Sequence, residues 1–310
     1  MVDLAVIVVT WNNADVIVDA LQSLLDDLNG SNLRSQVWLV DSASADETVR
    51  VVRERFPSVG LIACEQNIGF GAGNNLALQA IGFNQDGAAS QLPAAVYLLN
   101  PDTITHAGAT RRLFDTLMAQ TEVGVVGARL TYADGAFQHS AFRFPDLRQI
   151  WTEFFPTPGR LTDGPFNGRY SRAQYDSAHP FEVDFTLGAT MMLKREVVQQ
   201  TTGFNTDYFL YCEEIDWAWR IKRAGWRILC VPRAQVTHLG GSSTSQARPR
   251  SQIDLWKSRL LLYDTYYPRW KRTAARLLMI WGLHRKLRAV SAAEPELAQA
   301  YRAVIEMAKA

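Results

Sequence analysis

Apolar positions along the chain fall into short unbroken runs, separated by stretches whose apolar residues recur at helical spacing. Leu4 to Thr10 is nearly continuous and rich in valine, the pattern of a parallel strand buried on both faces. It stops at Trp11-Asn12-Asn13, and a helix is expected from Ala14 to Leu28, ended by Asn29-Gly30. Gln36 to Val40 reads as a second strand, Asp46 to Arg55 as a helix followed by the breaker Pro57, and Val59 to Cys64 as a third strand. The loop from Glu65 to Gly73 leads to a helix opening near Asn74. The apolar run ending at Asn100 is the fourth strand, a helix from Gly108 to Gln120 follows, and Val123 to Leu130 is the fifth. Strands alternating with helices predict an α/β fold, a mostly parallel sheet with right-handed crossovers.

From Tyr132 the regularity fades. Ala133-Asp134-Gly135 is a hairpin-type turn signal, and Phe142 to Pro180 is rich in aromatics, proline and glycine. A long irregular segment inside a compact enzyme is more often a binding loop than a linker. Phe181 to Leu193 reads as a strand broken by Gly188, Lys194 to Gln200 as a helical turn, and Glu213 to Ala224 as a helix stopped by Gly225. Trp226 to Val231 and Gln235 to His238 read as two strands, and the chain from Ile253 as helical. The expected division is an α/β domain over residues 1–250 and a helical segment over 251–310.

Composition narrows the class. A chain of 310 residues with 47% hydrophobic and 20% charged residues suits one large α/β domain with an appendage. A formal charge of +1 gives no reason to expect a nucleic-acid partner. Cys64, Cys212 and Cys230 are odd in number, far apart and without a CxxC pair, so neither a disulfide framework nor a zinc cluster is expected. A reducing cytoplasm fits this usage. Asp3 interrupts the first apolar stretch and no basic segment precedes it, so no signal peptide is expected. No run approaches the roughly 18 to 20 apolar residues that span a bilayer.

The polar residues at strand ends carry the candidate chemistry. Pro101 stiffens the turn after the fourth strand, so Asp102 is held just past the strand's carboxyl end, the edge where α/β proteins bind ligands. Asp102 in that place suits a divalent metal against a nucleotide diphosphate; the alternative is a turn in which Asp102 or Thr103 starts a helix. Asn12 and Asp41 end the first and second strands and face the same crevice. A carboxylate at Asp41 accepts from a nucleobase N–H or a ribose hydroxyl, or else closes an Asx-turn. Gly69, Gly71 and Gly73, before Asn74, let backbone approach a nucleotide closely, but they fit a dinucleotide fingerprint poorly and disfavour a dehydrogenase. Glu213, Glu214 and Asp216 open a helix behind an aromatic stretch; they complement its dipole or supply a general base. His238 ends a strand as a candidate metal ligand or a structural histidine.

Val6-Ile7-Val8-Val9-Thr10-Trp11-Asn12, Asp41-Ser42-Ala43-Ser44, Asn67-Ile68-Gly69-Phe70-Gly71, Leu99-Asn100-Pro101-Asp102, Gly188-Ala189, Gly203-Phe204-Asn205, Glu213-Glu214-Ile215-Asp216 and His238 occur in that order. Taken together they resemble the family 2 glycosyltransferases, in particular a bacterial rhamnosyltransferase-like branch, over roughly residues 4 to 265. The resemblance implies a GT-A fold and an inverting, metal-dependent transfer from a nucleotide-diphosphate sugar, with rhamnose from dTDP-rhamnose the first donor to test. It implies a saccharide or lipid-linked saccharide acceptor in cell-surface polysaccharide synthesis. Asn100-Pro101-Asp102 stands where the family has its Asp-x-Asp motif, which assigns Mg²⁺ or Mn²⁺ to Asp102, with His238 joining the metal site. Thr10, Asn12, Asp41, Gly69, Gly71, Asn74, Asn100 and Asp102 become the nucleotide-sugar residues. The family's base is commonly the Asp of a Glu-Asp pair; here Glu214 holds that position, with Glu213 and Asp216 as substitutes.

Residues 269–288 hold seven Arg or Lys and no acid, interleaved with Trp270, Leu277, Leu278, Ile280, Trp281, Leu283 and Leu287. That composition suits a helix lying on anionic lipid at the inner face of the cytoplasmic membrane, or one packed on the domain with a solvated basic face. Two other functions compete. A nucleotidyltransferase would carry a basic triphosphate loop, yet Thr10 to Asp15 has no Lys or Arg. A nucleotide-sugar binding module without catalysis is the other.

Overall fold

Every residue of β1 (Leu4–Thr10) is buried, because this strand runs between β2 (Ser35–Asp41) and β4 (Ala95–Leu99), parallel to both. The structure is a computed structural model, and it describes residues 2–83, 91–240, 248–290 and 294–309. Between those strands lie α1 (Ile17–Gly30), α2 (Thr48–Arg55), β3 (Gly60–Ala63) and α3 (Phe70–Ile81). After β4 come β5 (Thr103–Thr105), α4 (Ala109–Ala119), β6 (Val123–Thr131), β7 (Phe137–Gln138) and β8 (Ala141–Phe142). The irregular segment holds α5 (Leu147–Phe154), α6 (Gly159–Thr162) and α7 (Arg172–Asp176). Then follow β9 (Phe181–Glu182), β10 (Phe185–Thr186), β11 (Thr190–Lys194), α8 (Arg195–Thr201), α9 (Glu213–Arg223) and β12 (Arg227–His238). The chain ends in α10 (Arg248–Tyr266), α11 (Arg269–Ala289) and α12 (Pro295–Lys309).

The main sheet runs β3-β2-β1-β4-β11-β6-β12-β5, with β7 beside β6 and β9 beside β12. The first four strands are parallel, β11 is antiparallel to β4 and β6, and β12 is parallel to β6. Strand periodicity divides the core. Leu4, Val6 and Val8 pack toward α1 and α4, whereas Ile7 and Val9 pack with Ala77, Leu78 and Trp217 on the other side. A third core joins Ile150 and Phe154 of α5 to Trp256, Met279, Leu283 and Val304 of the C-terminal helices.

Four elements depart from the sequence reading. Phe181 to Leu193, expected as one strand broken at Gly188, is three, β9, β10 and β11, because each finds a different partner: β12, β8 in a separate two-stranded sheet, and β4 with β6. The helix expected near Asn74 begins at Phe70, because Gly69 (φ 80°) supplies the entry; Gly73 lies inside α3, where a Cβ would stand 2.8 Å from Val9. Thr103-Ile104-Thr105 forms a strand rather than a helix start, since these residues favour extended backbone and find a partner in the end of β12. Asp102 is therefore not a helix cap. The two strands expected around Pro232 are one, β12, whose register with β6 shifts between Val231 and Gln235. Proline cannot donate to the ladder, which fits an irregularity there.

Candidate active site

The carboxyl ends of β1 and β4 open into a cavity of about 510 Å³. Thr10 and Trp11 border it from β1, Asn100, Pro101 and Asp102 from β4, Glu213 and Glu214 from α9, and His238 from β12. The β12–β5 register sets His238 opposite Thr103, and its Nε2 lies 3.4 Å from Oδ1 of the buried Asp102. Asn100 Nδ2 is 3.5 Å from the same nitrogen, and the side-chain amide of Gln138 is 3.2 Å from Nδ1. Asn100 is tied down in turn: its N–H donates to the Ala189 carbonyl at 3.1 Å, and its carbonyl accepts from Thr103 Oγ1 at 2.7 Å. No group of three or more His, Cys, Asp or Glu suited to an ion occurs among the described residues. A cation at this pair would have one carboxylate and one imidazole from the chain. That set fits Mg²⁺ or Mn²⁺ sharing a ligand's phosphate oxygens and water.

Across the cavity, Tyr211 (φ 69°) and Cys212 (φ 66°) both take left-handed backbone ahead of α9. Non-glycine residues adopt that conformation at a cost of about 1–3 kcal/mol each, so the surrounding packing fixes where the helix starts. This entry sets Glu213 and Glu214 on the cavity wall. Glu213 is buried and its Oε2 has no hydrogen-bond partner. Burial, and then the neighbouring Glu214, push its carboxyl well above the ordinary value. Burial also pushes Glu214 up to about 7. Glu214, Tyr211 and Leu187 line a second cavity of about 550 Å³ as well, on the side of α5 and α10.

The other sequence-derived residues divide. Gly69 lines the first cavity, and a Cβ there would collide with the carbonyl oxygen of Phe209. Asp216 lines neither cavity: it is buried, accepting from Arg220 Nε at 2.9 Å and Tyr266 Oη at 2.7 Å. Asp41 is buried and accepts from both the N–H and the hydroxyl of Ser44, three residues on, and its neighbour Ser42 borders the cavity. Asn12 (φ 52°) accepts from Ala45 N–H at 2.7 Å and joins the β1 and β2 loops. Gly71 packs on Phe204, and Asn74 Nδ2 donates to the Phe70 carbonyl at 2.9 Å within α3. Ser42, Asn67, Arg250, Ser251 and Asp254 line the first cavity without having been singled out. The first two follow strand ends, a usable signal; the last three come from α10, which only tertiary packing brings there.

A parallel-edged α/β sheet with this crevice has the GT-A fold of nucleotide-sugar glycosyltransferases. Residues 3–252 match the family described as "Glycosyltransferase like family 2", and the chain belongs to that family. An N-acetylglucosaminyl-diphospho-decaprenol L-rhamnosyltransferase of Mycobacterium tuberculosis (strain CDC 1551 / Oshkosh) is 27% identical over 217 residues, 68% of each chain. Rhamnosyltransferase WbbL of Escherichia coli (strain K12) is 24% identical over 230 residues, covering 71% of this chain and 78% of the relative. The fold is similar to that of GalNAc-T7, solved with UDP, GalNAc and Mn²⁺, with a TM-score of 0.60 at 12% identity. That match covers 98% of this chain and 54% of the solved one.

Proposed function

We propose that this chain transfers rhamnose from a dTDP donor to a hydroxyl of a lipid-linked saccharide, with inversion at the anomeric carbon, in polysaccharide synthesis. One observation carries the reading: Glu214 is in the wall of both cavities, so a single carboxylate faces a donor on one side and an acceptor on the other. The names of the mycobacterial and E. coli relatives support the choice of rhamnose, and the former supports a diphosphate-linked lipid as acceptor.

In this reading Asn100, Thr10, Ser42 and Gly69 border the nucleotide sugar, and Asp102 and His238 would hold Mg²⁺ or Mn²⁺. Such a cation, when bound, would supply electrostatic stabilisation of a leaving diphosphate. Glu214 accepts the proton of the acceptor hydroxyl as its oxygen attacks the anomeric carbon from the face opposite the diphosphate. A base with a pKa of about 7 is matched to neutral pH, being half ionised there while retaining proton affinity. Glu213, buried next to it with Oε2 unpartnered, shares the wall of the first cavity. Asp216, bound to Arg220 and Tyr266, anchors α9 instead of serving as a base.

The acceptor's lipid suits contact with the inner face of the membrane through α11. Trp270, Leu277 and Trp281 are 66%, 62% and 56% exposed, on the same helix as the exposed Arg269, Arg285 and Arg288. Indole and leucine side chains beside cations are the make-up of an interfacial helix on anionic lipid. No described helix is long and apolar enough to cross a membrane.

Incubation with dTDP-rhamnose, Mn²⁺ and a GlcNAc-diphospho-lipid tests the reading. The expected product is a disaccharide lipid whose new linkage has the anomeric configuration opposite to the donor's. Binding of the donor without any product would instead make the chain a nucleotide-sugar binding module.

A further inference from the structure

The second cavity has a chemistry of its own. Arg143, Arg169 and Arg259 line it, against the carboxylates of Glu153 and Glu214. Arg259 is paired with Glu153 and lies over the Trp256 ring at 4.5 Å, so that carboxylate is already neutralised. Arg169 contacts Asp163, an exposed residue outside the cavity lining, at 2.9 Å. Arg143 makes no ion pair among the described residues; its guanidinium lies 5.2 Å from the Tyr170 ring centre. The two are neighbours along the backbone, since Arg143 N–H donates to the Gly168 carbonyl at 2.7 Å and Phe142 bridges to Arg169, and both line the cavity. The cavity therefore has Glu214 in one wall and, in another, Arg143, whose guanidinium has no carboxylate partner among the described residues, beside the ion-paired Arg169.

Its apolar surroundings point the same way. The cavity-lining Ile150, Thr152 and Glu153 belong to α5, whose Trp151 is 38% exposed and meets the exposed Trp281 of α11 at 6.2 Å. One helix thus separates the arginine-lined cavity from the exposed Trp281 of α11.

We propose that Arg143 and Arg169 hold the diphosphate of the acceptor lipid in this second cavity, with the attached sugar reaching Glu214 and the lipid leaving past Trp151 toward α11. The proposal rests on the transferase reading for the identity of the sugar, but its chemistry is that of guanidinium groups, the unpaired Arg143 first, meeting phosphate oxygens. The donor's diphosphate offers the same oxygens, and the experiment distinguishes the two sources.

Titration of a water-soluble, short-chain prenyl diphosphate of GlcNAc, of neutral octyl GlcNAc glycoside and of dTDP is followed by tryptophan fluorescence. The proteins are wild type, Arg143→Ala and Arg143→Lys, without donor sugar. Wild type is expected to bind the diphosphate at least about tenfold more tightly than the octyl glycoside, the scale of a charge-assisted hydrogen bond. Arg143→Ala should remove most of that preference and Arg143→Lys restore part, with octyl-glycoside and dTDP binding unchanged. Equal weakening of the octyl glycoside, weakening of dTDP, or unchanged diphosphate binding would overturn the proposal. Because binding is read without turnover, a wild type that prefers the diphosphate but makes no product would sink the transferase reading and leave this site standing. A wild type that transfers sugar yet binds both acceptors equally would do the reverse.

Discussion

His238 Nε2 stands 3.4 Å from Asp102 Oδ1 because the last residue of β12 pairs, antiparallel, with the first residue of β5. A three-residue strand thus aligns an imidazole with a carboxylate from distant parts of the chain. Asp102→Ala is expected to lower turnover at least about 10²-fold, the lower range for loss of one preorganised electrostatic contact. It should also abolish any Mn²⁺-dependent rise in melting temperature with dTDP-rhamnose, read by thermal shift. A shift that persists in Asp102→Ala would put the cation elsewhere.

Glu214→Gln keeps the size of the side chain and removes its basicity. Turnover should fall at least about 10²-fold, with donor binding little changed, since proton transfer rather than affinity is lost. The wild-type rate carries a sign that can be checked: the carboxyl must be ionised to accept a proton, so kcat/KM should fall as pH drops through about 7. A rate flat from pH 6 to 8 would move the base away from Glu214.

Burial raises the carboxyls of both Glu213 and Glu214 above the ordinary 4.5. Between that value and the folded-state values the native protein binds more protons than the unfolded chain. Their contribution to stability is complete below about pH 4.5 and is lost as pH rises through the folded values. Glu213→Gln, which leaves a neutral group in the cavity wall, should weaken this loss and raise Tm at pH 8 by about 2 °C or more. Calorimetry at pH 6 and pH 8 measures it, and an unchanged pH dependence would mean that Glu213 is not the source.

Gly69 combines a φ of 80° with a site where a Cβ would meet the Phe209 carbonyl. Gly69→Ala is expected to cost about 1 kcal/mol or more in denaturant unfolding, the loss usual where alanine meets a positive φ. Donor affinity should drop with it, because Gly69 and Phe209 are both in the wall of the first cavity. Unchanged stability and affinity would show that the loop relaxes freely.

Trp270→Ser combined with Trp281→Ser should abolish co-sedimentation with anionic vesicles while leaving the fold intact, since both side chains are mostly exposed. Arg276 is unsuitable for such a test: it bridges to Asp264 at 2.8 Å and to the Met307 and Ala308 carbonyls, so its removal would loosen the helical unit. Sedimentation that survives the double change would leave α11 as a solvated face.

Much of this was legible in the sequence. Continuous apolar runs located β1, β4 and β6 closely, because a strand buried on both faces leaves no polar position to blur its limits, and the buried second half of β2 was found the same way although Gln36 is exposed. The strand-end placement of Asp102 and the helix-opening Glu213 and Glu214 followed from the same pattern. What the pattern misses is direction. Asp41 and Asp216 are carboxylates in plausible places, yet each is turned to a local partner, Ser44 in one case and Arg220 with Tyr266 in the other. Nor does the sequence announce that α10 contributes Ser251 and Asp254 to the first cavity and Leu255 and Arg259 to the second.

The position of α10 also constrains how this chain can be recombined. Its residues are spent on both cavities, and Ser258 Oγ donates to the Leu210 carbonyl at 2.8 Å, just ahead of the strained entry to α9. A chimera that exchanges everything from Arg248 onward with a relative would therefore replace part of the wall of both cavities at once. An exchange that begins after Tyr266, at the turn into α11, would leave the lining of both cavities intact and replace only α11 and α12.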